Sequence, residues 1–215
     1  MKNNKIIIAV AAITVVALFT GGTYIYKQQE KKKALLALER LGKLMVKDYS
    51  PTMGNKDAAV EIVEFLDPEC GTCARFYPFV KALLKEFPGK IKLVVRYAAF
   101  HKNSVFAIKV LEAARKQGKY WQTMELLFKH QPEWGNHQNP NPELIWTFLP
   151  EVSGLNIDQL RKDIDDPKVM SMIAQDMEDV KQLDVKATPT FYINKKPLPS
   201  FGYEQLRSAV VSAIQ

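Results

Sequence analysis

The sequence AVEIVEFLDPECGTC, residues 59–73, places a short apolar segment directly before the two cysteines of the chain. Valine, isoleucine and phenylalanine dominate residues 59–66, a composition that predicts a β-strand. A helical pattern begins at Cys70 and continues to about Phe87, where a Pro-Gly pair ends it. Cys70 and Cys73 are therefore expected at the junction of a strand and a helix.

The spacing of the two cysteines favours a redox pair over a metal site. A structural zinc site needs four ligands, usually from two such pairs. The chain has one pair, and its three histidines show no ligand spacing: His101, His130 and His137. Two cysteines that lie together in the core without a chemical role are the other alternative. We predict a redox pair, with no metal and no cofactor.

The position of the pair gives the two thiols different roles. At the amino end of a helix, unpaired N–H groups and the positive end of the helix dipole stabilise a thiolate, which lowers the pKa of Cys70. Cys73, one turn further along, is expected to be screened from solvent and to act as the resolving thiol. Gly71 and Thr72 lie between them and are expected to tune the reduction potential.

The rest of the chain predicts an α/β fold. Residues 91–97 place apolar side chains on one face, which predicts a second strand and, with the preceding helix, a βαβ unit with parallel strands. Residues 103–184 are helical in pattern except for a loop at 130–142, and Asn103 is expected to cap the first of these helices. Strand character returns at 190–193, followed by a short partner strand and a last helix. The pattern indicates a βαβ half and a ββα half separated by an all-helical insert.

The amino terminus has the pattern of a membrane anchor. Residues 6–26 carry no charge and follow Lys2 and Lys5, the order typical of an export signal. The length also suits one membrane-spanning helix of about 20 residues. We predict an uncleaved anchor, with a removed signal peptide as the alternative. The lysines after the segment favour a cytoplasmic body, but a first apolar segment and cysteine redox chemistry both favour export to an oxidising compartment.

A helical stripe of apolar residues follows the anchor between residues 29 and 47: Leu35, Leu36, Leu38, Leu41, Leu44 and Met45. It predicts a stalk that packs on its own domain or, alternatively, pairs with a second copy to form a homodimer. A loop is expected at residues 50–55. The predicted organisation is an anchor, a helical stalk with its linker, the first half of the fold, the helical insert and the second half, at residues 1–26, 27–57, 58–102, 103–185 and 186–215.

The net charge of +7 does not predict a nucleic-acid partner. Part of it is the lysine cluster beside the apolar segment, and such lysines commonly lie near anionic lipid headgroups. No basic stripe interleaved with aromatic residues occurs in the body of the chain. We therefore expect the lipid bilayer, and no nucleic acid, as a partner.

Two motifs resemble those of the DsbA-type thioredoxin-like disulfide oxidoreductases, including membrane-anchored bacterial forms. They are VEFLDPECGTC at residues 63–73 and ATPTFYIN at residues 187–194. The resemblance covers residues from about 59 to the carboxyl end. It implies a thioredoxin fold with an inserted helical domain, which agrees with the pattern of residues 103–184.

The resemblance also implies roles for residues that the pattern alone does not assign. Thr188 and Pro189 are similar to the cis-proline turn of the family, which presents backbone groups to an extended substrate. Glu64 occupies the place of a buried acid that assists proton transfer at the second cysteine. The alternation along the strand agrees with burial of Glu64 and a raised pKa, and a carboxylate that reaches water is the alternative. The dipeptide Gly71-Thr72 lacks the histidine of the strongest oxidants, which implies a milder oxidant.

The sequence thus predicts an enzyme that forms disulfides in unfolded exported proteins, on the periplasmic or extracellular side of the cytoplasmic membrane. By resemblance, a membrane quinone-linked thiol oxidase is expected to reoxidise it. An isomerase or reductase that is dimeric through the leucine stripe is the second hypothesis. The third is a thioredoxin-fold binding module or copper carrier without turnover.

Overall fold

A computed structural model describes residues 20–33, 35–136 and 138–215, and gives only the helical backbone for residues 2–19 and 34. The first helix, α1, spans Lys2–Met45. Within the described residues no helix combines the length and the apolar character needed to cross a membrane. Residues 6–19 of the predicted anchor lie outside the fully described residues, so the anchor stays a prediction.

Two compact units divide the chain, residues 1–43 and 44–215. The first unit consists of most of α1. Three leucines of the predicted stripe have exposed side chains there: Leu35, Leu36 and Leu38. The second unit contains the whole sheet, both cysteines and all remaining helices.

A mixed sheet of five strands forms the centre of the second unit, in the order β1-β3-β2-β4-β5. The strands are β1 (Thr52–Gly54), β2 (Val60–Leu66), β3 (Ile91–Tyr97), β4 (Thr190–Ile193) and β5 (Lys196–Pro197). β2 pairs with β3 in parallel and with β4 in antiparallel register. This arrangement contains the predicted βαβ and ββα halves, with β2 in the middle of the sheet.

A short strand lies within residues 50–55, where the sequence pattern predicts a loop. Thr52–Gly54 form β1, which pairs antiparallel with the edge of β3, opposite residues 92–94. A strand of three residues is too short to show alternation, so only its pairing with a distant strand reveals it.

Helix α2 (Gly71–Glu86) follows β2 and covers one face of the sheet. It buries Phe76, Tyr77, Val80 and Leu83. The last helix, α9 (Tyr203–Ile214), contacts α2 and β4 and buries Leu206 and Val210. The side chains of Val60, Ile62 and Leu66 on β2 belong to the same core as these helices.

The predicted helical insert lies between β3 and β4. Its helices are α3 (Ser104–Lys116), α4 (Tyr120–Lys129), α5 (Gln131–Trp134), α6 (Ile145–Phe148), α7 (Ile157–Asp163) and α8 (Pro167–Gln182). Two predictions are wrong in detail. The loop at 130–142 contains α5, and the helix expected over 143–149 is short, with 3₁₀ turns at Pro142–Leu144 and Leu149–Glu151 on either side of α6. A proline begins the first of these turns and lies inside the second, and proline breaks a continuous helix.

A buried ionic cluster attaches α8 to β3. The guanidinium of Arg96 lies 2.7 Å from Asp176 and 2.6 Å from Asp179, and all three side chains are almost fully buried. The Tyr49 hydroxyl donates to Asp176 at 2.7 Å. Charges this deep are tolerated because each is paired and hydrogen-bonded, so the cluster fixes the insert against the sheet.

Candidate active site

Cys70 lies at the amino end of α2, immediately before its first residue. It occupies the capping position of the helix, and its backbone N–H donates to the Asp67 carbonyl oxygen at 3.0 Å. The residue is 7% exposed, so it is buried but not completely closed off from solvent. Both cysteines are free thiols in this structure, which is therefore the reduced state of the pair.

The surroundings of Cys70 lower its pKa to about 5. The hydrogen bond from the Cys73 thiol is the largest cause; burial opposes it, and the Thr188 hydroxyl and the backbone N–H groups of Cys73 and Thr72 add to it. In the protonated state the Cys70 thiol instead donates to the Thr188 carbonyl oxygen at 3.2 Å. The donors that lower the pKa of Cys70 thus include N–H groups of the helix amino terminus, which stabilise a thiolate at this position.

Cys73 is fully buried one turn further along α2. Burial is the main reason that its pKa lies well above the usual value, and the charges of Cys70 and Glu64 raise it further. The pKa values of these two thiols, one helical turn apart, are thus shifted in opposite directions. A thiol with a lowered pKa is the better nucleophile and leaving group of such a pair, which suits Cys70, whereas the raised pKa of Cys73 favours the protonated thiol.

Thr188 and Pro189 join the cysteines from the far end of the chain. They precede β4, which pairs with β2. The Thr188–Pro189 peptide bond is cis, Pro189 is buried, and Thr188 is partly exposed beside Cys70. Thr188 therefore brings a segment that is distant in the sequence into direct contact with Cys70.

Glu64 lies in the middle of β2, between Val95 of β3 and Phe191 of β4. It is fully buried, and neither carboxylate oxygen has a hydrogen-bond partner among the described residues. Burial, with a smaller contribution from the Cys70 charge, raises its pKa to about 8. A carboxyl group in this state is protonated at neutral pH and can exchange a proton with a neighbouring thiol.

Gly71 and Thr72 make few specific contacts. A Cβ atom at Gly71 would make only ordinary contacts, with the side chains of Gln131 and Arg75 at 3.6 and 3.7 Å. The Thr72 hydroxyl accepts a hydrogen bond from Arg75 at 2.8 Å. The dipeptide acts on Cys70 chiefly through the Thr72 backbone N–H.

The sequence analysis missed a second buried carboxylate next to the cysteines. Asp67 is fully buried and accepts five hydrogen bonds, from the backbone N–H groups of Glu69, Phe100 and His101 and from the side chains of His101 and Ser104. The Asp-Pro pair signals a turn, which is the one sequence feature that points to this residue. Apart from Glu69, its partners lie more than 30 residues away, so no local pattern reveals them.

Asn103 also differs from its prediction. It occupies the capping position of α3, but its side chain caps nothing in the helix. The side-chain amide instead donates to Glu69 at 2.9 Å. Among the described residues there is no group of three or more histidine, cysteine or acidic side chains placed to hold a metal ion, and His137 lies outside those residues.

Comparison with known proteins places the chain in a family. The thioredoxin family matches residues 46–211. The chain is 28% identical over 210 residues to the Na(+)/H(+) antiporter NhaA 3 of Salinispora tropica, a match that covers 94% of this chain and 31% of the antiporter. The chain thus spans about a third of the length of that relative.

Two shorter relatives are covered over most of their length. Disulfide bond formation protein D of Bacillus subtilis is 26% identical over 167 residues, which is 74% of this chain and 75% of that protein. The crystal structure of a thioredoxin-like oxidoreductase from Silicibacter pomeroyi is 31% identical, with a TM-score of 0.67 over 79% of this chain and 95% of that one. The fold is therefore thioredoxin-like with a helical insert, and the chain belongs to the thioredoxin family, among its DsbA-type thiol–disulfide oxidoreductases.

Proposed function

We propose that the chain introduces disulfides into unfolded exported proteins through Cys70 and Cys73. The observation that carries this proposal is the position of Cys70 at the amino end of α2 and beside Thr188, where the surrounding donors lower its pKa to about 5. A stabilised thiolate favours the reduced enzyme and so makes its disulfide a stronger oxidant, by roughly 30 mV for each pKa unit. The value lies between those of thioredoxin, about 7, and of the strongest oxidants of the family, about 3.5. It supports an oxidant of intermediate strength, as the missing dipeptide histidine implies.

The proposed reaction starts from the Cys70–Cys73 disulfide. A substrate thiolate attacks the sulfur of Cys70, forms a mixed disulfide and displaces Cys73, which takes a proton from Glu64. A second substrate thiolate then attacks the substrate sulfur of the mixed disulfide and releases Cys70 as a thiolate. Two substrate thiols lose two electrons and two protons and become a disulfide. The enzyme pair gains both electrons and ends with Cys70 as a thiolate and Cys73 as a thiol, while Glu64 regains its proton from solvent.

Substrate binding is proposed on the surface around Cys70. Backbone groups of Thr188, next to the cis proline, can hold an extended peptide with little dependence on its side chains. Phe201 and Tyr203 are 55% and 42% exposed, and both rings pack against Phe76 in α2. Exposed aromatic side chains that pack against the helix of the two cysteines suit unfolded proteins, which present apolar segments.

We propose that residues 6–26 anchor the enzyme in the cytoplasmic membrane, with the second unit on the periplasmic or extracellular side. A membrane quinone-linked thiol oxidase would then reoxidise the dithiol. The apolar segment and its preceding lysines support the anchor. A reporter active only outside the cytoplasm, fused after Gln215, is expected to be active and to fractionate with membranes. An inactive reporter would rule out this orientation.

Trapping of substrates tests the proposed function. Cys73→Ala cannot resolve the mixed disulfide, so it is expected to accumulate adducts with many exported proteins that disappear on reduction. Cys70→Ala is the matched control, since it keeps one cysteine but lacks the attacked sulfur, and it is expected to form none. An absence of adducts with Cys73→Ala in an oxidising compartment would contradict the proposal.

The exposed leucines of α1 favour a second candidate, an isomerase that works as a dimer. Leu35 and Leu38 are 66% and 47% exposed on one helix. Replacing both by glutamate is expected, on this alternative, to convert a dimer to a monomer and to abolish activity on scrambled disulfides. Sedimentation and reactivation of a scrambled substrate measure the two effects. A monomeric parent protein would exclude this candidate.

A further inference from the structure

The loop that follows β3 places His101 in contact with the segment that leads into Cys70. Asp67 and Glu69 belong to that segment, and residues 98–104 cover them. The ring Nδ1 of His101 lies 2.7 Å from the Asp67 carboxylate, and its backbone N–H reaches the same oxygen at 3.1 Å. The Asp67 carbonyl in turn accepts the backbone N–H of Cys70 at 3.0 Å. Asp67 thus contacts His101 through its carboxylate and Cys70 through its backbone carbonyl.

Among the described residues, three negative groups of this segment act on His101: Asp67, Glu69 and the Cys70 thiolate. Burial acts to lower the pKa of His101, but the hydrogen bond to Asp67 and the charges of all three groups outweigh it, so the pKa is raised. The side chain is about a quarter exposed. It can therefore exchange protons with solvent while its charge acts on the interior.

The electrostatic effect between His101 and Cys70 is mutual. If the Cys70 thiolate favours a protonated His101, a protonated His101 must favour the thiolate by the same free energy. Asp67 and Glu69 are both buried within three residues of Cys70 along the chain, and buried negative charges close to a thiol oppose its ionisation. The site therefore has a use for a cation, and the Gly71-Thr72 dipeptide supplies none.

We infer that the imidazolium of His101 supplies the cation that the Gly71-Thr72 dipeptide lacks, and that it helps to set the oxidising strength of the Cys70–Cys73 pair. His101 acts through charge and does not touch the reacting bond, so it is a positioning residue and not a catalytic one. The inference deepens the proposed function and rests on Cys70 and Cys73 being a reactive pair.

Substitution of His101 tests the inference directly. His101→Gln keeps an N–H donor for Asp67 and loses the charge. The Cys70 pKa, followed by thiolate absorbance, is expected to rise by about one unit, and the equilibrium constant for reduction of the disulfide by glutathione to fall about tenfold, or roughly 30 mV. His101→Arg, which keeps a cation, is expected to stay within threefold of the parent.

Two control variants separate this effect from general charge and from histidine loss. Lys102→Gln removes the adjacent exposed cation, and His130→Gln removes a histidine paired with Glu133 and Glu151 at 2.8 and 3.1 Å. Both are expected to leave the glutathione equilibrium within twofold of the parent. An unchanged equilibrium in His101→Gln, or an equal change in Lys102→Gln, would overturn the inference.

A measurement on the unaltered protein covers the case in which His101→Gln folds poorly. The His101 pKa, followed by NMR, is expected to be higher in the reduced protein than in the disulfide form, since only the reduced form carries the Cys70 thiolate. Equal values in the two forms would also overturn the inference. None of these measurements uses an exported substrate, so their failure is distinguishable from failure of the trapping experiment.

Discussion

Glu64 and Asp67 are two acidic residues of the same segment, both fully buried and both beside the cysteines. The carboxylate of Asp67 accepts five hydrogen bonds, one of them from a histidine ring. The carboxylate of Glu64 accepts none from the described residues, and its pKa is raised to about 8. Burial alone therefore does not decide what a carboxyl group does. The supply of donors decides whether it remains a fixed charge or becomes a proton carrier.

The comparison assigns a different task to each residue. Asp67 joins the turn before Cys70 to the loop after β3. Glu64 has no hydrogen-bond partner among the described residues, and its charge raises the pKa of Cys73. This suits the proposed exchange of a proton as the disulfide opens and closes.

Removal of Asp67 is expected to have the largest effect. Asp67→Ala leaves the donors around it without an acceptor in a buried site, and loss of such a network costs about 3–5 kcal/mol of the free energy of unfolding. Denaturant unfolding of the oxidised protein measures this loss. Asp57→Ala, at an exposed turn residue, is the control and is expected to change stability by about 0.5 kcal/mol or less. A loss below about 1 kcal/mol for Asp67→Ala would break the contrast.

Replacement of Glu64 is expected to change rate more than stability. Glu64→Gln preserves shape but cannot transfer a proton to Cys73, so the rate of disulfide exchange with a dithiol peptide at pH 7 is expected to fall about 100-fold. Stopped-flow fluorescence measures the rate. Glu61→Gln is the matched control on the same strand, where Glu61 pairs with Lys92 at 2.7 Å. A Glu64→Gln rate within threefold of the parent rate would remove Glu64 from the reaction.

The stability of the protein is expected to depend on pH through Glu64. Its pKa is about 8 in the folded chain against an ordinary value of 4.5, so the folded state binds the proton more tightly than the unfolded state. The free energy of unfolding therefore falls as pH rises between these values, by at most about 1.4 kcal/mol per pH unit. In the disulfide form, where Cys70 does not titrate, Glu64→Gln is expected to gain stability over the parent across this range. If the free energy of unfolding changed with pH in the same way for the two proteins, the raised pKa of Glu64 would be contradicted.

The smallest effect is expected at Asn103, which binds Glu69 in the same segment as Asp67. Asn103→Ala removes the hydrogen bond to Glu69 but keeps the backbone bond of residue 103 to the same carboxylate at 2.6 Å. The expected loss is about 1 kcal/mol. Asn139→Ala, at an exposed loop position, is the control and is expected to leave stability unchanged. Equal stabilities for the two variants would show that the Glu69 contact adds nothing.

Elements with a strong local pattern were predicted from the sequence. The strands at Ile91–Tyr97 and Thr190–Ile193 have the predicted bounds, because strand-forming composition and side-chain alternation are properties of neighbouring residues. The strand at Thr52–Gly54 was missed because three residues carry no period. Asn103 was assigned a capping role because its position suits one, whereas Glu69, from a distant turn, takes its side chain.

Local sequence patterns are enough to place the cysteine pair between a strand and a helix, since the strand pattern and the helix pattern are adjacent along the chain. The residues that surround the pair are known only from the tertiary structure. Thr188 reaches Cys70 across 118 positions and His101 reaches Asp67 across 34. The physical reason is that a thiol pKa depends on charges and donors within a few ångströms in space, and the fold alone selects which residues come that close.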